Sequence, residues 1–115
     1  MAACEYLRRQ GFRILEKNFR CKIGEIDAIA EKDGRLRFVE IKTRSGAQFG
    51  RPEEAVHPAK QKKLTQLAMW YMKAKKKIGM SISFDVLAVE WNPASEPVFK
   101  LIENAFEAAA GSWAL

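Results

Sequence analysis

The sequence predicts one α/β domain built on a mixed β-sheet with helices on its faces. The segments follow the order helix, three strands, helix, two strands over 115 residues. Residues 82–90 are apolar on both faces except at Asp85, which is typical of an interior strand covered by helices. A chain of this length suits a single domain. We expect the domain to span residues 1–107, with a C-terminal tail at 108–115.

The first half of the chain supplies one helix and three strands. The segment AACEYLRRQ predicts a short helix that Gly11 ends, and FRILEKNFRC has the β-branched and aromatic content of a strand. Two more strand-like segments lie on either side of Asp33-Gly34, a dipeptide that favours a hairpin turn. Residues 45–58 are rich in glycine and proline, which predicts a loop with one helical turn at 52–56.

The second half contains the clearest helix, predicted over residues 58–77. Pro58 suits a first helical turn and Gly79 suits the position after the end. The apolar residues recur at helical spacing: Leu64, Leu67, Ala68, Tyr71 and Met72. His57 stands directly before this helix, where a surface or capping role is expected. The segments SISFDVLAVEW and VFKLIENAF predict the last two strands, with NPASEP as the turn between them.

The composition of the chain indicates which cellular compartment and which kind of partner to expect. No apolar run approaches the roughly 20 residues of a membrane span, and no signal-peptide pattern is present, so we expect a cytoplasmic protein without a membrane partner. Cys4 and Cys21 form no CxxC pair, which favours reduced structural thiols. Twenty Lys and Arg against fourteen Asp and Glu give a net charge of +6, which favours nucleic acid as the partner.

The hairpin register predicts that charged side chains meet on one face of the sheet. With Asp33-Gly34 as the two central residues, Asp27 faces Glu40 and Glu25 faces Lys42. Ile26 then faces Ile41, and alternation along each strand places the four charged residues on the same face. A three-residue loop with a bulge would shift this register by one residue.

Opposed carboxylates indicate a cation site. Asp27 and Glu40 repel each other unless a cation lies between them, and hard oxygen ligands suit Mg²⁺ or Mn²⁺. Glu25 is a third candidate ligand, and Lys42 would hold an attacking water or stabilise charge on a phosphate. The alternative is a cross-strand ion-pair cluster in which Glu25 pairs with Lys42 and Asp27 with a nearby arginine.

Aspartate followed by Glu-x-Lys across a hairpin resembles the PD-(D/E)XK nuclease signature. Five segments, taken in order along the chain, resemble the bacterial YraN family of uncharacterised nuclease-like proteins: GFRILEKNFRCKIGEIDAIA, FVEIKTRS, FGRPEEAV, FDVLAV and IENAF. The resemblance covers nearly the whole chain and implies a restriction endonuclease-like core, similar to Holliday junction resolvases. It implies that Asp27 and Glu40 bind metal, that Lys42 is the catalytic lysine, and that Glu25 is an additional acidic position.

The chain departs from this family at its N-terminus. Family members usually carry a Gly-Glu-containing helical turn upstream of the segment that corresponds to residues 3–7, whereas this sequence starts at Met1. In related nucleases a first-helix glutamate can complete the metal site. Glu5 lies further along the helix, so we expect a shortened form with weakened metal affinity.

Basic residues supply candidate contacts to nucleic acid. Arg44 and Ser45 follow the Glu-x-Lys strand and are better placed for a scissile phosphate than the lysines of the long helix, and the loop at 46–51 borders the same edge. Six lysines cluster on or near the long helix: Lys60, Lys62, Lys63, Lys73, Lys76 and Lys77. Of these, Lys62, Lys73 and Lys77 lie away from the apolar stripe, and a merely solvated helix face explains them equally well.

The sequence therefore predicts a metal-dependent endonuclease that acts on nucleic acid, with DNA as the expected substrate and Mg²⁺ or Mn²⁺ as the cofactor. One alternative is a non-catalytic nucleic-acid-binding module with a nuclease fold. Another is a structural protein whose charged cluster is only an ion-pair network. Junction-cutting relatives suggest a homodimer by analogy.

Overall fold

The computed structural model describes residues 2–45 and 56–108, including the backbone but not the side chain of Ser45. The elements are α1 (Ala2–Arg9), β1 (Arg13–Cys21), β2 (Gly24–Lys32), β3 (Arg35–Ser45), α2 (Pro58–Ala74), β4 (Ile82–Trp91) and β5 (Val98–Phe106). The predicted fold class and element order are confirmed.

The five strands form one mixed sheet in the order β1-β2-β3-β4-β5. Neighbouring strands are antiparallel except for β3 and β4, which run parallel and are joined through α2. Residues 83–89 of β4 are all buried, which confirms the prediction of an interior strand. The parallel pair explains why the long helix stands between β3 and β4 in the sequence, because a parallel connection needs a crossover.

In the described part of the chain, each face of the sheet carries one helix and one apolar cluster. The cluster under α2 includes Ile29, Phe38, Leu67, Tyr71 and Phe84. The cluster on the opposite face, under α1, includes Leu7, Phe12, Ala28, Val39 and Leu87. The alternation of these residues along β3 places Glu40, two residues after Phe38, on the α2 face.

The hairpin of β2 and β3 has the predicted register. Asp33 and Gly34 have φ values of 54° and 72°, as a two-residue type I′ turn requires. Pairing runs from Lys32–Arg35 to Ala28–Val39. The paired positions of these strands stop there, one residue short of Asp27 and Glu40. The expected cross-strand pairs of Asp27 with Glu40, Ile26 with Ile41 and Glu25 with Lys42 are therefore not among them.

The alternation of side chains between the two faces of the sheet is interrupted in β2 at the predicted site. Ile26 and Ile29 both pack into the α2 cluster although they are three residues apart, so simple two-residue alternation fails between them. At this point the backbone N–H of Ile41 donates to Asp27 Oδ2 at 2.7 Å. A carboxylate therefore occupies the place where the ladder would otherwise continue.

The ends of α2 are set by local hydrogen bonds. His57 caps the start, because its Nδ1 accepts from the N–H of Ala59 at 3.1 Å, which confirms the expected capping role. The helix ends at Ala74, three residues earlier than predicted. Lys76 adopts a left-handed φ of 55°, and the Lys77 N–H donates to Met72 O at 2.7 Å, which closes a Schellman motif without glycine.

Several predictions concern residues at the limits of the described chain. The loop at 46–51, most of the turn predicted at 52–56 and the tail after residue 108 lie outside the described residues, so the proposed domain boundary stays a prediction. Both cysteines are free thiols, Cys4 buried and Cys21 half-buried. Among the described helices, none is long and apolar enough to cross a membrane.

Candidate active site

Two carboxyl groups meet where β2 and β3 separate. Asp27 is half-buried and Glu40 is 7% exposed. Burial and, after it, direct interaction with the Glu40 carboxyl group together raise the pKa of Asp27 to about 6, against the opposing effects of the Ile41 N–H and Lys60. The pair is therefore a place where negative charge is concentrated and poorly solvated.

Two lysines lie beside this acidic pair. Lys60, in the first turn of α2, places its Nζ 2.7 Å from Glu40 Oε2. Burial alone lowers the pKa of Lys60, but the contact with Glu40 more than offsets that effect and the net direction is upward. Burial lowers the pKa of Lys42, and the neighbouring Lys60 lowers it further against the attraction of Glu40. The site thus combines two carboxylates with two ammonium groups.

The buried oxygen of Glu40 is incompletely satisfied. Oε2 accepts no hydrogen bond of acceptable geometry from the described residues, so the Lys60 contact is an ion pair rather than a directed bond. A buried carboxylate oxygen is costly without a cation or donor beside it, and among the described residues the Lys60 ammonium group is that partner. Together with the carboxyl group of Asp27, this oxygen offers the hard oxygen ligands that Mg²⁺ or Mn²⁺ prefers, and Mg²⁺ commonly uses one or two carboxylates. The residues present therefore fit such an ion.

Glu25 lies apart from this pair. Its Oε2 accepts from Arg20 Nε at 2.8 Å in an exposed ion pair on β1 and β2. Within residues 2–45 and 56–108, no three acidic, histidine or cysteine side chains converge as metal ligands. The structure thus brings Asp27, Glu40 and Lys42 together with Lys60, and Glu25 as a third ligand stays a prediction.

The predicted nucleic-acid contacts are spread over a wider surface. Arg44 is exposed and donates to its neighbour Thr43 O at 3.2 Å. The backbone of Ser45 pairs with Trp91, and its side chain is outside the described residues. On α2, Lys62 and Lys73 are exposed, whereas Lys77 is half-buried after the helix end. Of these residues, Arg44 acts on the site through its charge, which helps to lower the pKa of Lys42.

The position of Lys60 beside the acids is not predicted from the sequence, where Lys60 belongs to the lysine cluster of the long helix. A signal was available, because Lys60 precedes Leu64 by four residues and Leu67 by seven, which continues the buried stripe of α2. A lysine at the start of a buried stripe must direct its ammonium towards the sheet or its edge. The spacing of residues within α2 could not show that Glu40 lies within reach of this ammonium group.

The buried acid of β4 belongs to a different part of the molecule. Asp85 accepts from Arg37 Nη1 at 3.3 Å, from the Ser83 hydroxyl and from the Asn104 N–H at 2.9 Å. Arg37 also lies over the ring of Phe12, in the cluster under α1. Asp85 is therefore a hydrogen-bonded structural acid, as predicted, on the face opposite Glu40.

The fold and this cluster define a small α/β protein with a paired-carboxylate site. A model of the family described as "Uncharacterised protein family UPF0102" matches residues 1–89, and the chain belongs to this family. A UPF0102 protein of Syntrophomonas wolfei is 42% identical over 104 residues, covering 90% of each chain. One of Symbiobacterium thermophilum is 45% identical over 107 residues, covering 93% of this chain and 91% of the relative. The resemblance predicted from the ordered motifs is confirmed at this level.

One solved structure is distantly similar. The structure of Pyrococcus furiosus SfsA in complex with Ca²⁺ matches with a TM-score of 0.40 and 16% identity. The match covers 85% of this chain and 57% of the SfsA chain. A likeness this distant does not bear on the chemistry of the site.

Proposed function

We propose that this protein is a metal-dependent endonuclease that hydrolyses phosphodiester bonds in nucleic acid, with DNA as the substrate. The observation that supports this most is the contact of two carboxyl groups, Asp27 and Glu40, where a buried oxygen of Glu40 accepts no hydrogen bond from any residue that the structure describes. Such charge crowding weakens a fold unless it serves a ligand. The neighbouring lysines supply positive charge suited to a phosphate.

The acidic pair would hold the cation through carboxylate oxygens. Bound Mg²⁺ or Mn²⁺ would supply Lewis acidity and positive charge for attack at phosphorus. Lys42 would hold the attacking water and stabilise the charge that grows on the non-bridging phosphate oxygens. The water oxygen bonds to phosphorus as the bond to the leaving ribose oxygen breaks, and the water's proton ends on that leaving oxygen.

Substrate binding would use positive charge around the site. The net charge of +6 favours a polyanion, and the exposed Arg44 lies four residues along β3 from Glu40. Lys62 and Lys73 extend the positive surface along α2, with Ser45 and Lys77 as further proposed contacts. A cytoplasmic location and a homodimer, which would present two sites to two strands, are part of this proposal.

The test is cleavage of labelled single-stranded, duplex, flap and four-way-junction DNA with Mg²⁺ or Mn²⁺. We expect metal-dependent products from the wild type and a loss of at least about 100-fold in Glu40→Gln and Lys42→Met, since each removes a group that contacts the reacting atoms. Glu96→Gln, in an exposed turn, is the matched control and should retain wild-type rates. Equal cutting by Glu40→Gln would refute the assignment.

A second candidate function is nucleic-acid binding without cleavage. It is favoured by the absence of a third convergent ligand among the described residues and by the exposed ion pair that occupies Glu25. On this alternative, binding to the same DNA panel would persist in Glu40→Gln and fall in Arg44→Met, and no preparation would cut.

A further inference from the structure

We propose that Lys60 is a resident counter-ion of the acidic pair, and that a divalent cation must displace it to occupy the site. The inference rests on the proposed function, because it concerns the same carboxylates. It assigns Lys60 a positioning role that controls metal affinity rather than a direct part in bond breaking.

The contact of Lys60 with Glu40 has the geometry of a substitute cation. The Nζ lies 2.7 Å from Glu40 Oε2, the buried oxygen that receives no directed hydrogen bond within residues 2–45 and 56–108. The Glu40 side chain is 9% exposed, whereas that of Lys60 is 42% exposed. The ammonium group therefore reaches a buried acid from the solvent side, on a flexible four-carbon stem.

The electrostatic balance makes this contact replaceable. One ammonium group faces two interacting carboxyl groups, and it also lies against the second ammonium group, on Lys42. The cost of placing two ammonium groups together appears as a lowered pKa of Lys42, and among the described residues the Lys60 contact is an ion pair without directed hydrogen-bond geometry. A divalent cation carries twice the charge and can bind oxygens of both acids at once, so it competes effectively for Glu40.

Displacement would change the surface as well as the site. The Lys60 stem has room to leave, since the residue is already half-exposed in the first turn of α2. Once released, its ammonium group would stand at the mouth of the site, where a phosphate approaching the acids would meet it. Metal binding would thus convert a lysine that neutralises an acid into one available to a nucleic-acid backbone.

The test measures Mn²⁺ binding to the purified full chain by calorimetry, without nucleic acid. In Lys60→Met we expect about five- to ten-fold tighter Mn²⁺ binding than in the wild type, because an internal competitor is removed. Lys60→Gln is a second neutral variant and should behave alike. Lys60→Arg keeps the charge and should bind Mn²⁺ within about two-fold of the wild type. Lys62→Met, two residues along on the exposed face, is the matched control and should leave affinity unchanged.

Thermal stability supplies an independent readout. In EDTA, Lys60→Met should melt below the wild type, because Glu40 loses its counter-ion. At saturating Mn²⁺ that deficit should disappear or reverse, since the metal then replaces the lysine. A purely structural role for Lys60 would instead lower the melting temperature by the same amount in both conditions.

The outcomes separate this inference from the proposed function. If Mn²⁺ binds the wild type, Lys60→Met and Lys62→Met with equal affinity, or binds Lys60→Met more weakly, the counter-ion role is refuted while the metal site stands. If Mn²⁺ binds none of these proteins, both ideas fail. Tighter binding confined to the neutral Lys60 variants supports the inference even if no DNA in the panel is cut.

Discussion

At the residue scale, Asp27 and Glu40 place two acids together in a poorly solvated position. The N–H of Ile41 compensates Asp27 in part, and Lys60 compensates Glu40 in part. The remaining penalty falls on the ionised form of Asp27, whose pKa is raised to about 6 from an ordinary 3.8. Proteins retain such unfavourable charge at functional sites at the expense of stability.

Replacing Asp27 should therefore alter how stability depends on pH. Because the folded-state pKa of Asp27 is raised, its stabilising contribution is complete below about pH 4 and is lost as pH rises through about 6. In Asp27→Asn, which can still accept from Ile41, that loss is absent. We expect the unfolding free energy of the variant, relative to the wild type, to rise by about 1–2 kcal/mol from pH 4 to pH 7, after allowance for solvent screening.

Urea denaturation in EDTA at several pH values measures this difference. Glu96→Gln, which alters an exposed acid in a turn, should show a nearly constant difference from the wild type over the same range. A pH-independent difference for Asp27→Asn would contradict the proposed crowding of the acids.

Sequence reasoning reached some of these residues and not others, for physical reasons. The proximity of Asp27 and Glu40 was predictable because the two-residue turn fixes the register as far as Ala28–Val39, the pair next to them. The separate position of Glu25 was not, because alternation fails between Ile26 and Ile29 and Arg20 is a competing partner. Lys60 was missed because its contact joins residues 20 positions apart through a crossover that no local pattern describes.

At the scale of elements, the β2–β3 hairpin is the part that aligns the site. Asp33 and Gly34 both have positive φ, and the register from Lys32–Arg35 to Ala28–Val39 follows from that turn. The C-terminal end of α2 is an element boundary that the sequence predicts less accurately. Gly79 predicts a later helix end, but Lys76 adopts the left-handed conformation instead. This conformation lets the Lys77 N–H donate to Met72 O.

The turn can be tested at Gly34. A Cβ there would meet no atom of the described residues within 4 Å, so we expect the cost of Gly34→Ala to come from the backbone at φ +72°. We expect Gly34→Ala to lower the free energy of unfolding by about 1 kcal/mol. Gly34→Asn should cost less, because asparagine tolerates the left-handed region. Chemical denaturation of both variants measures the ranking, and a stable Gly34→Ala beside a destabilised Gly34→Asn would contradict the turn assignment.

At the scale of the whole molecule, the two faces of the sheet carry different groups of polar residues. The α1 face buries Arg37 and Asp85 in a network of hydrogen bonds and ion pairs. The α2 face carries the acidic pair and its lysines. The fold class was predictable from element order, whereas this division of polar groups needed the register of β3 against β4.

The net charge of +6 leads to a prediction about salt. If Arg44 and Lys62 contact phosphates, binding of duplex DNA should weaken with salt, and each substitution by methionine should reduce the slope of log affinity against log salt by about 1. Lys17→Met, on the edge strand β1, is the control and should keep the full slope. Fluorescence anisotropy in EDTA measures binding without cleavage, and equal slopes in all four proteins would exclude these contacts.

The parallel pairing of β3 with β4 has a consequence for how the site is assembled. Paired residues in these two strands are 46 positions apart along the chain, whereas those of the β2–β3 hairpin are 3 to 11 apart. The entropy lost on closing a loop grows with the logarithm of its length. The two acids are therefore brought together by one of the shortest loop closures in the sheet, that of the β2–β3 hairpin. Lys60 lies on α2, which belongs to the longest closure, the connection between β3 and β4.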